Sequence, residues 1–147
     1  MAKVYSSAVI PAPANAVWTI VRDFNALPKW TPFVAESRIE QNRPSDQIGC
    51  IRNFSLKDGG RIRERLLALS DYEMSFEYSI LESPMGVENY IATFRLIPIT
   101  DVDHTFAEWT AEFDAAPEKE DGLVQSIGTN VFAAGLGALK ARFRALI

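Results

Sequence analysis

The sequence has very few residues that bind metals or form disulfides: one cysteine, Cys50, and one histidine, His104, in 147 residues. A lone cysteine excludes an intramolecular disulfide and favours a reducing compartment. Two side chains cannot build a structural zinc site of the usual Cys/His kind. Phosphate-binding loops and metal-spaced carboxylates are missing as well. We therefore expect no metal and no cofactor.

Long apolar runs and basic stripes are also missing. The net charge is -4, with 15 Lys and Arg residues spread along the chain. Nucleic-acid-binding domains concentrate such residues to neutralise phosphates, so we expect no nucleic-acid partner. Residues 1–7 lack the apolar stretch of a signal peptide. The longest apolar run, Val131 to Leu139, is about half a membrane span. These features predict a cytoplasmic protein with no integral membrane segment, and they leave a homodimer open.

What the chain does have is apolar surface. Hydrophobic residues make up 48% and charged residues 23%, which is typical of a globular protein. The length favours a single domain over 1–147. The aromatic residues, 9 Phe, 4 Tyr and 3 Trp, supply large side chains for a core or a pocket.

The spacing of apolar residues predicts an α+β order. Residues 3–10 favour a strand, and Pro11-Ala12-Pro13 then favours a helix start. Pro28 and Pro32 limit the next segment to a short helical turn, Leu27 to Trp30. Alternation with period two from about 33 to 114 predicts six further strands in consecutive hairpins, which form a curved antiparallel sheet. These strands are predicted at 34–41, 48–56, 61–69, 73–80, 90–98 and 106–113.

After Pro117 the period becomes helical. A single stripe of large apolar residues predicts one long C-terminal helix. Its members are Phe132, Leu136, Leu139, Phe143 and Leu146. Gly128, Gly135 and Gly137 each weaken a helix by up to about 1 kcal/mol relative to Ala, so they either widen a cavity, allow close packing on the sheet or are merely tolerated.

Several segments in this order are similar to one known family. They are Ala12-Pro13 leading to Val17-Trp18, Asp23-Phe24, Pro28 to Pro32, Gly49 to Arg52, Asp58 to Leu66, and Gly135 to Lys140. Together they resemble the helix-grip fold of the START-like, pollen-allergen-like superfamily (SRPBCC), and within it bacterial polyketide cyclase/dehydrase and lipid-transport-like proteins. The resemblance implies a curved seven-stranded antiparallel sheet wrapped around the C-terminal helix, with a cavity between them. It implies a hydrophobic small-molecule ligand more firmly than it implies catalysis.

Glu64 carries the sharpest functional signal. It shares the face of Ile62 and Leu66, and a buried carboxylate needs a partner. With a hairpin loop at residues 58–60, Arg52 becomes its diagonal neighbour on the same face. The pair either anchors a ligand carbonyl or hydroxyl, acts as an acid/base group, forms a structural ion pair, or faces solvent after a one-residue slip.

The remaining candidates are aromatic and aliphatic side chains on the same inferred inner face. Each either packs in the core or contributes to a ligand pocket, and Tyr78 and Tyr90 add hydroxyl groups. Trp30 either forms a lid or caps the core, and the turn Pro84-Met85-Gly86 either gates the pocket or is an ordinary hairpin turn. The predicted ligand-binding set is Trp30, Arg52, Phe54, Glu64, Leu66, Phe76, Tyr78, Tyr90, Phe94, Trp109, Phe132 and Leu136.

The sequence therefore favours a module that binds a small hydrophobic or aromatic molecule such as a lipid or polyketide. One alternative is a polyketide aromatase/cyclase or dehydratase acting by general acid–base chemistry in the same cavity. Another is a protein-interaction or quinone-chaperone role, with outward Leu67, Leu69 and Phe106 as candidate contacts. We assign no catalytic residue: Cys50 lacks a His partner, and His104 lies in a polar turn.

Overall fold

A computed structural model describes residues 1–147. Seven strands form one antiparallel sheet in the order β1-β7-β6-β5-β4-β3-β2. The strands are Ala2–Ile10 (β1), Val34–Ile39 (β2), Ile51–Leu56 (β3), Arg61–Ser70 (β4), Ser75–Glu82 (β5), Glu88–Ile99 (β6) and His104–Asp114 (β7). Helices α1 (Ala14–Val21) and α2 (Leu27–Trp30) follow β1. The concave face of the sheet packs on a long C-terminal helix, so the predicted helix-grip fold is confirmed.

Alternation along the strands decides which side chains reach the core. Phe76 and Tyr78 of β5, and Tyr90, Ala92, Phe94 and Leu96 of β6, are buried. The next strand continues the pattern, because Ala107, Trp109, Ala111 and Phe113 are buried while the residues between them are not. The inner face predicted for these strands is therefore confirmed.

One acidic residue in the turn between β4 and β5 connects helix α1 to the sheet. Asp71, in the turn between β4 and β5, accepts a hydrogen bond from the Trp18 indole at 2.8 Å. It also accepts two from the guanidinium of Arg22, at 2.8 and 3.1 Å. Since Val17, Trp18 and Val21 are buried, these polar contacts hold the apolar face of α1 against the core.

The hairpin of β3 and β4 differs from the predicted register by two residues. Leu56 and Gly60 close the loop, with the Leu56 amide donating to the Gly60 carbonyl at 2.7 Å, so the loop is residues 57–59. Arg52 consequently lies directly opposite Glu64, not diagonal to it. A two-residue change preserves parity, so both side chains keep the predicted inner face. In addition, β3 begins at Ile51, because Gly49 adopts a turn conformation with φ +91°.

A β-bulge changes one outward prediction. The pairing of β4 with β5 shifts between Leu66 and Ala68, and Leu69 then pairs with the buried Phe76. Leu69 therefore packs against the core and not on the convex face. Leu67 and Phe106 remain half-buried, and Phe106 pairs with Val9 and Ile97 on its neighbouring strands. A protein-contact role for this face stays a prediction.

The C-terminal helix α3 runs from Pro117 to Arg144 and is not uniformly α-helical. A π-helical segment, Ile127–Ala133, separates α-helical parts at Pro117–Ser126 and Ala134–Arg144. Four residues of the predicted stripe are buried: Phe132, Leu136, Leu139 and Phe143. Leu146 lies beyond the helix end and is 78% exposed, so its predicted place on the stripe is wrong.

The same helix is long and apolar enough, by length and composition alone, to cross a membrane. One side of the helix packs against the sheet. Trp109 stacks on Phe132 with ring centroids 4.4 Å apart, and Leu136 and Leu139 are almost fully buried. The helix thus occupies the position of a core helix, and the cytoplasmic location stays a prediction.

Two glycines of α3 occupy opposite environments. A Cβ atom at Gly135 would lie 3.0 Å from Cζ3 of Trp109, whereas one at Gly137 would meet nothing within 4 Å. Trp109 cannot easily retreat, because its ring is stacked on Phe132 and its indole N–H is hydrogen-bonded to Tyr78. Gly135 therefore allows the helix to approach the sheet, as one of the sequence alternatives stated.

Because of this contrast, Gly135→Ala and Gly137→Ala form a matched pair of substitutions that differ only in what the added methyl group meets. We expect Gly137→Ala to raise the free energy of unfolding by up to about 1 kcal/mol, through helix propensity alone. Gly135→Ala gains the same propensity but must displace Trp109, so we expect it to lower the free energy of unfolding. Urea denaturation of both variants measures the difference. Equal stabilisation by the two substitutions would contradict the close-approach role of Gly135.

Candidate functional site

A cavity of about 450 Å³ lies between the sheet and α3. Its sheet side is formed by Arg52 and Phe54 of β3, Ile62 and Glu64 of β4, and Tyr78 of β5. Tyr90 of β6 and Trp109 of β7 complete that wall. Strand alternation brings these side chains together, since each is an inward residue of an adjacent strand.

The opposite wall comes from α3 at its π-helical segment. Ser126, Ile127, Asn130 and Val131 line the cavity. Ile127 is buried, whereas Ser126 and Asn130 are exposed, so this wall passes from the core to the surface. A π-helical turn changes which residues face the sheet, and such turns are frequent at functional sites.

The cavity opens at the surface between loops. Phe33 and Pro32 border the opening on one side, together with the β3–β4 turn at Lys57 and Asp58. Met85, from the turn between β5 and β6, borders it on another side. The amide of Lys57 donates to the carbonyl of Phe33 at 3.0 Å, so two of these loops are joined by a backbone hydrogen bond.

At the inner end of the cavity lies a buried ion pair. Arg52 and Glu64 are 2% and 5% exposed. Both Nε and Nη2 of Arg52 approach Oε1 of Glu64 at 2.7 Å. Nη1 donates to the carbonyl of Phe24 at 3.2 Å. Every nitrogen of the guanidinium therefore has a protein partner, which offsets the cost of removing its charge from water.

Aromatic rings surround the same guanidinium. Its central carbon lies 3.9 Å from the ring centroid of Phe24 and 4.7 Å from that of Tyr78. Phe54 lies on a third side at 5.8 Å. These distances are within the range of cation–π attraction, so Arg52 is held in a single position by packing as well as by hydrogen bonds.

Burial changes the acidity of the groups that line the cavity. It raises the pKa of Glu64, and the charge and hydrogen bonds of Arg52 oppose that rise. Burial also raises the pKa of Tyr90 well above its ordinary value, and the neighbouring Tyr78 and Glu64 raise it further. The pKa of Tyr78 is raised by burial as well. Both phenols are therefore protonated at neutral pH.

Six of the twelve predicted ligand-binding residues line the cavity: Arg52, Phe54, Glu64, Tyr78, Tyr90 and Trp109. The other six are buried beside it in the packed core: Trp30, Leu66, Phe76, Phe94, Phe132 and Leu136. Trp30 contacts Phe94 and Trp109, each with ring centroids 5.8 Å apart. Its packing favours the core-capping alternative over the lid. Ligand binding by any of the twelve stays a prediction.

Sequence reasoning did not single out the residues of the helical wall or of the opening. Asn130 and Val131 lie off the apolar stripe of α3, and no period in the sequence indicates a π-helical turn. Ile62 was recognised as inward only because it shares the parity of Glu64. Met85 had a weak signal, because its turn was one of two candidate positions for a gate.

The reactive groups outside the cavity have no catalytic arrangement. Cys50 is fully buried, and burial raises the pKa of its thiol, which disfavours the nucleophilic thiolate. No three His, Cys, Asp or Glu side chains are grouped to hold a metal ion. The buried ionisable groups of the cavity are therefore Glu64, Arg52 and the two tyrosines.

Comparison with known proteins agrees with this geometry. The family described as polyketide cyclase/dehydrase and lipid transport matches residues 1–144. A protein from Thermobifida fusca is 33% identical with a TM-score of 0.89, over 99% of this chain and 95% of that one. XoxI from Bacillus cereus is 28% identical with a TM-score of 0.89, over 99% of this chain and 98% of that one.

A plant protein is similar over a shorter stretch. The abscisic acid receptor PYL7 of Arabidopsis thaliana is 29% identical over 92 residues, which are 60% of this chain and 42% of the receptor. The match thus spans less than half the length of that curated relative. The fold, the order of the segments and the match over residues 1–144 lead to one conclusion: the chain belongs to the polyketide cyclase/dehydrase and lipid transport family.

Proposed function

We propose that this protein binds one small, largely apolar molecule in the cavity between the sheet and α3. The observation that carries the proposal is an apolar cavity of about 450 Å³ that ends on the buried Arg52–Glu64 pair. Its volume falls in the range of small-molecule sites, and eleven of its eighteen lining residues are hydrophobic. Burial of apolar ligand surface supplies the driving force, at about 25 cal/mol per Å² before the costs of association.

A side chain that fills the cavity tests the proposal. We expect wild-type protein to bind N-phenyl-1-naphthylamine, a neutral fluorescent probe of apolar cavities. Val131 lines the cavity and is half-buried. Val131→Trp should therefore weaken probe binding at least about tenfold, because the indole occupies ligand volume. Fluorescence titration measures the dissociation constants.

Thr129 provides the matched control. It is exposed on the same helical segment and does not line the cavity, so Thr129→Trp adds the same ring outside it. Probe binding by this variant should equal that of wild type. Failure of wild type to bind, or equal binding by both Trp variants, would contradict the proposal. Native mass spectrometry of protein purified from its source then identifies any retained ligand.

A second candidate function is acid–base catalysis on the bound molecule, as in an aromatase/cyclase or dehydratase. The observation that favours it is a carboxylate that lines the cavity and whose pKa is raised by burial. Glu64→Gln keeps the shape of the side chain and removes its acidity. Turnover of a poly-β-keto chain by wild type that is lost in Glu64→Gln, with the chain still bound, would favour catalysis. If wild type binds the chain without turnover, the protein is a carrier and not an enzyme for that molecule.

A further inference from the structure

One oxygen of the buried pair is unused by the protein. Arg52 contacts Glu64 only through Oε1, and no protein donor reaches Oε2. Every fully buried side-chain nitrogen or oxygen in this molecule has a hydrogen-bond partner. Oε2 is therefore reached from open space, and the space that Glu64 lines is the cavity. A ligand meets a hydrogen-bond acceptor at this point.

A second polar group faces the same space. The hydroxyl of Tyr78 accepts a hydrogen bond from the Trp109 indole at 3.0 Å, and the hydroxyl of Tyr90 lies beside that of Tyr78. Tyr90 lines the same cavity as Glu64, so a ligand in the cavity is able to reach its hydroxyl as well. The raised pKa of Tyr90 keeps its hydroxyl protonated, so it is able to donate.

The formal charges of the cavity cancel. Arg52 is paired with Glu64 at the inner end, and Lys57 stands next to Asp58 at the opening. Three of the five N–H groups of Arg52 already contact protein oxygens and its charge is matched by Glu64, so Arg52 offers no unmatched positive charge to a ligand carboxylate. A ligand ammonium group likewise has no unpaired negative charge to bind, because Glu64 is already paired with Arg52. A charged ligand head would lose its hydration without an unpaired opposite charge.

These groups select among uncharged ligand heads. A ketone, ether or ester only accepts hydrogen bonds and leaves Oε2 without a donor. A hydroxyl both donates and accepts, so it is able to satisfy Oε2 of Glu64 and the phenol of Tyr90. A hydrogen bond from a hydroxyl to a carboxylate is also among the stronger ones in proteins. The site thus discriminates against ligands without a hydroxyl, because they leave Oε2 of Glu64 without a hydrogen-bond donor.

Building on the proposed function, we propose that the ligand is an uncharged alcohol or phenol whose hydroxyl donates to Oε2 of Glu64 and accepts from Tyr90. The apolar body of the ligand then lies along Phe54, Ile62 and Ile127 toward the opening. The inference assigns Glu64 as the residue that determines specificity, with Arg52 as the residue that positions it.

Three probes with one ring system test this inference: 2-naphthol, 2-methylnaphthalene and 2-naphthoate. Each is titrated at pH 7 against the protein by displacement of N-phenyl-1-naphthylamine. We expect wild type to bind the naphthol roughly 10- to 100-fold more tightly than the methyl compound, as a hydrogen bond to a charged group implies. The naphthoate should bind no better than the methyl compound.

The double variant Arg52→Met/Glu64→Leu removes both charges while keeping apolar volume. It should bind the methyl compound at least as well as wild type and lose the preference for naphthol. Arg63→Met/Glu40→Leu is the matched control, because it removes an ion pair of 2.6 Å from the opposite face of the same strand. This control should keep the wild-type preference, and urea denaturation confirms that both variants fold.

The outcomes separate the two proposals. Binding of all three probes without preference for naphthol, or a preference that survives in Arg52→Met/Glu64→Leu, would overturn the hydroxyl assignment while leaving the cavity as a ligand site. Tighter binding of naphthoate would overturn the requirement for an uncharged head. Failure of wild type to bind any probe would overturn the proposed function itself.

Discussion

Arg52→Met should lower the free energy of unfolding by about 3–5 kcal/mol at pH 7, among the largest effects of any single substitution in this chain. The variant leaves the carboxylate of Glu64 buried without its counter-ion. It also removes the guanidinium from between Phe24 and Tyr78, where it lies 3.9 and 4.7 Å from the ring centroids. Urea denaturation monitored by tryptophan fluorescence measures the loss.

The pH dependence of this variant has a defined sign. Burial raises the pKa of Glu64 above its ordinary value of 4.5, and loss of Arg52 removes the effect that opposes the rise. A group with a raised pKa in the folded state binds more protons folded than unfolded, so its stabilising contribution is lost as the pH increases. Arg52→Met should therefore be least destabilised below pH 4.5, where Glu64 is protonated in both states, and increasingly destabilised as the pH rises from there.

Two further variants separate the lost charge partner from lost packing. Arg52→Met/Glu64→Leu removes both charges and should recover most of the stability, because apolar replacement of a buried pair is often neutral or stabilising. Arg63→Met breaks two pairs on the convex face, with Glu40 and Glu82, whose side chains are 20% and 68% exposed, and it should cost clearly less than Arg52→Met because water replaces the lost partner. If the double variant is as unstable as Arg52→Met, the buried charge is not the cause.

Trp109→Ala should lower the free energy of unfolding by about 3–5 kcal/mol, as expected for removal of a large buried side chain. The ring stacks on Phe132 at 4.4 Å, meets Phe94 edge-on at 5.4 Å, and lies 5.8 Å from Trp30. Its N–H also satisfies the hydroxyl of Tyr78. The substitution thus removes contacts between the sheet, α2 and α3 at once.

Phe106→Ala on the same strand is the comparison for Trp109→Ala. Phe106 is half-buried on the convex face, so its truncation leaves no internal cavity and should cost clearly less. Because Trp109 also lines the ligand cavity, Trp109→Ala should bind larger apolar probes than wild type, provided that it remains folded. Equal losses of stability in the two variants would show that Trp109 does not join the three elements.

Arg52 and Trp109 lie in neighbouring parts of the structure. Tyr78 packs against the Arg52 guanidinium on one side and accepts the Trp109 hydrogen bond on the other. The ion pair and the aromatic cluster therefore share a residue, and substitutions at 52 and 109 should not be additive. This rigid wall presents Glu64 and Tyr90 to the cavity in fixed positions, which is the condition for recognising a ligand group by geometry.

The sequence by itself determined the order of the elements and the faces of the strands. Side chains alternate with period two, so Arg52, Glu64, Tyr78 and Trp109 are inward in every hairpin register that differs from the predicted one by an even number of residues. The register of β3 with β4 was predicted two residues away from the observed one, and the pair still met because an even shift preserves parity. An odd shift does not, which is why the bulge after Leu66 turns Leu69 inward against prediction.

Only the tertiary structure decided which inward residues line the cavity and which pack. Phe76 and Tyr78 are inward neighbours on β5 with the same predicted role, yet only Tyr78 reaches the cavity. The difference depends on where α3 touches β7, at Gly135 and Phe132 against Trp109, and where Ile127, Asn130 and Val131 line the cavity instead. Such a separation is set by the combined packing of distant elements and by a π-helical turn, and neither leaves a period in the sequence.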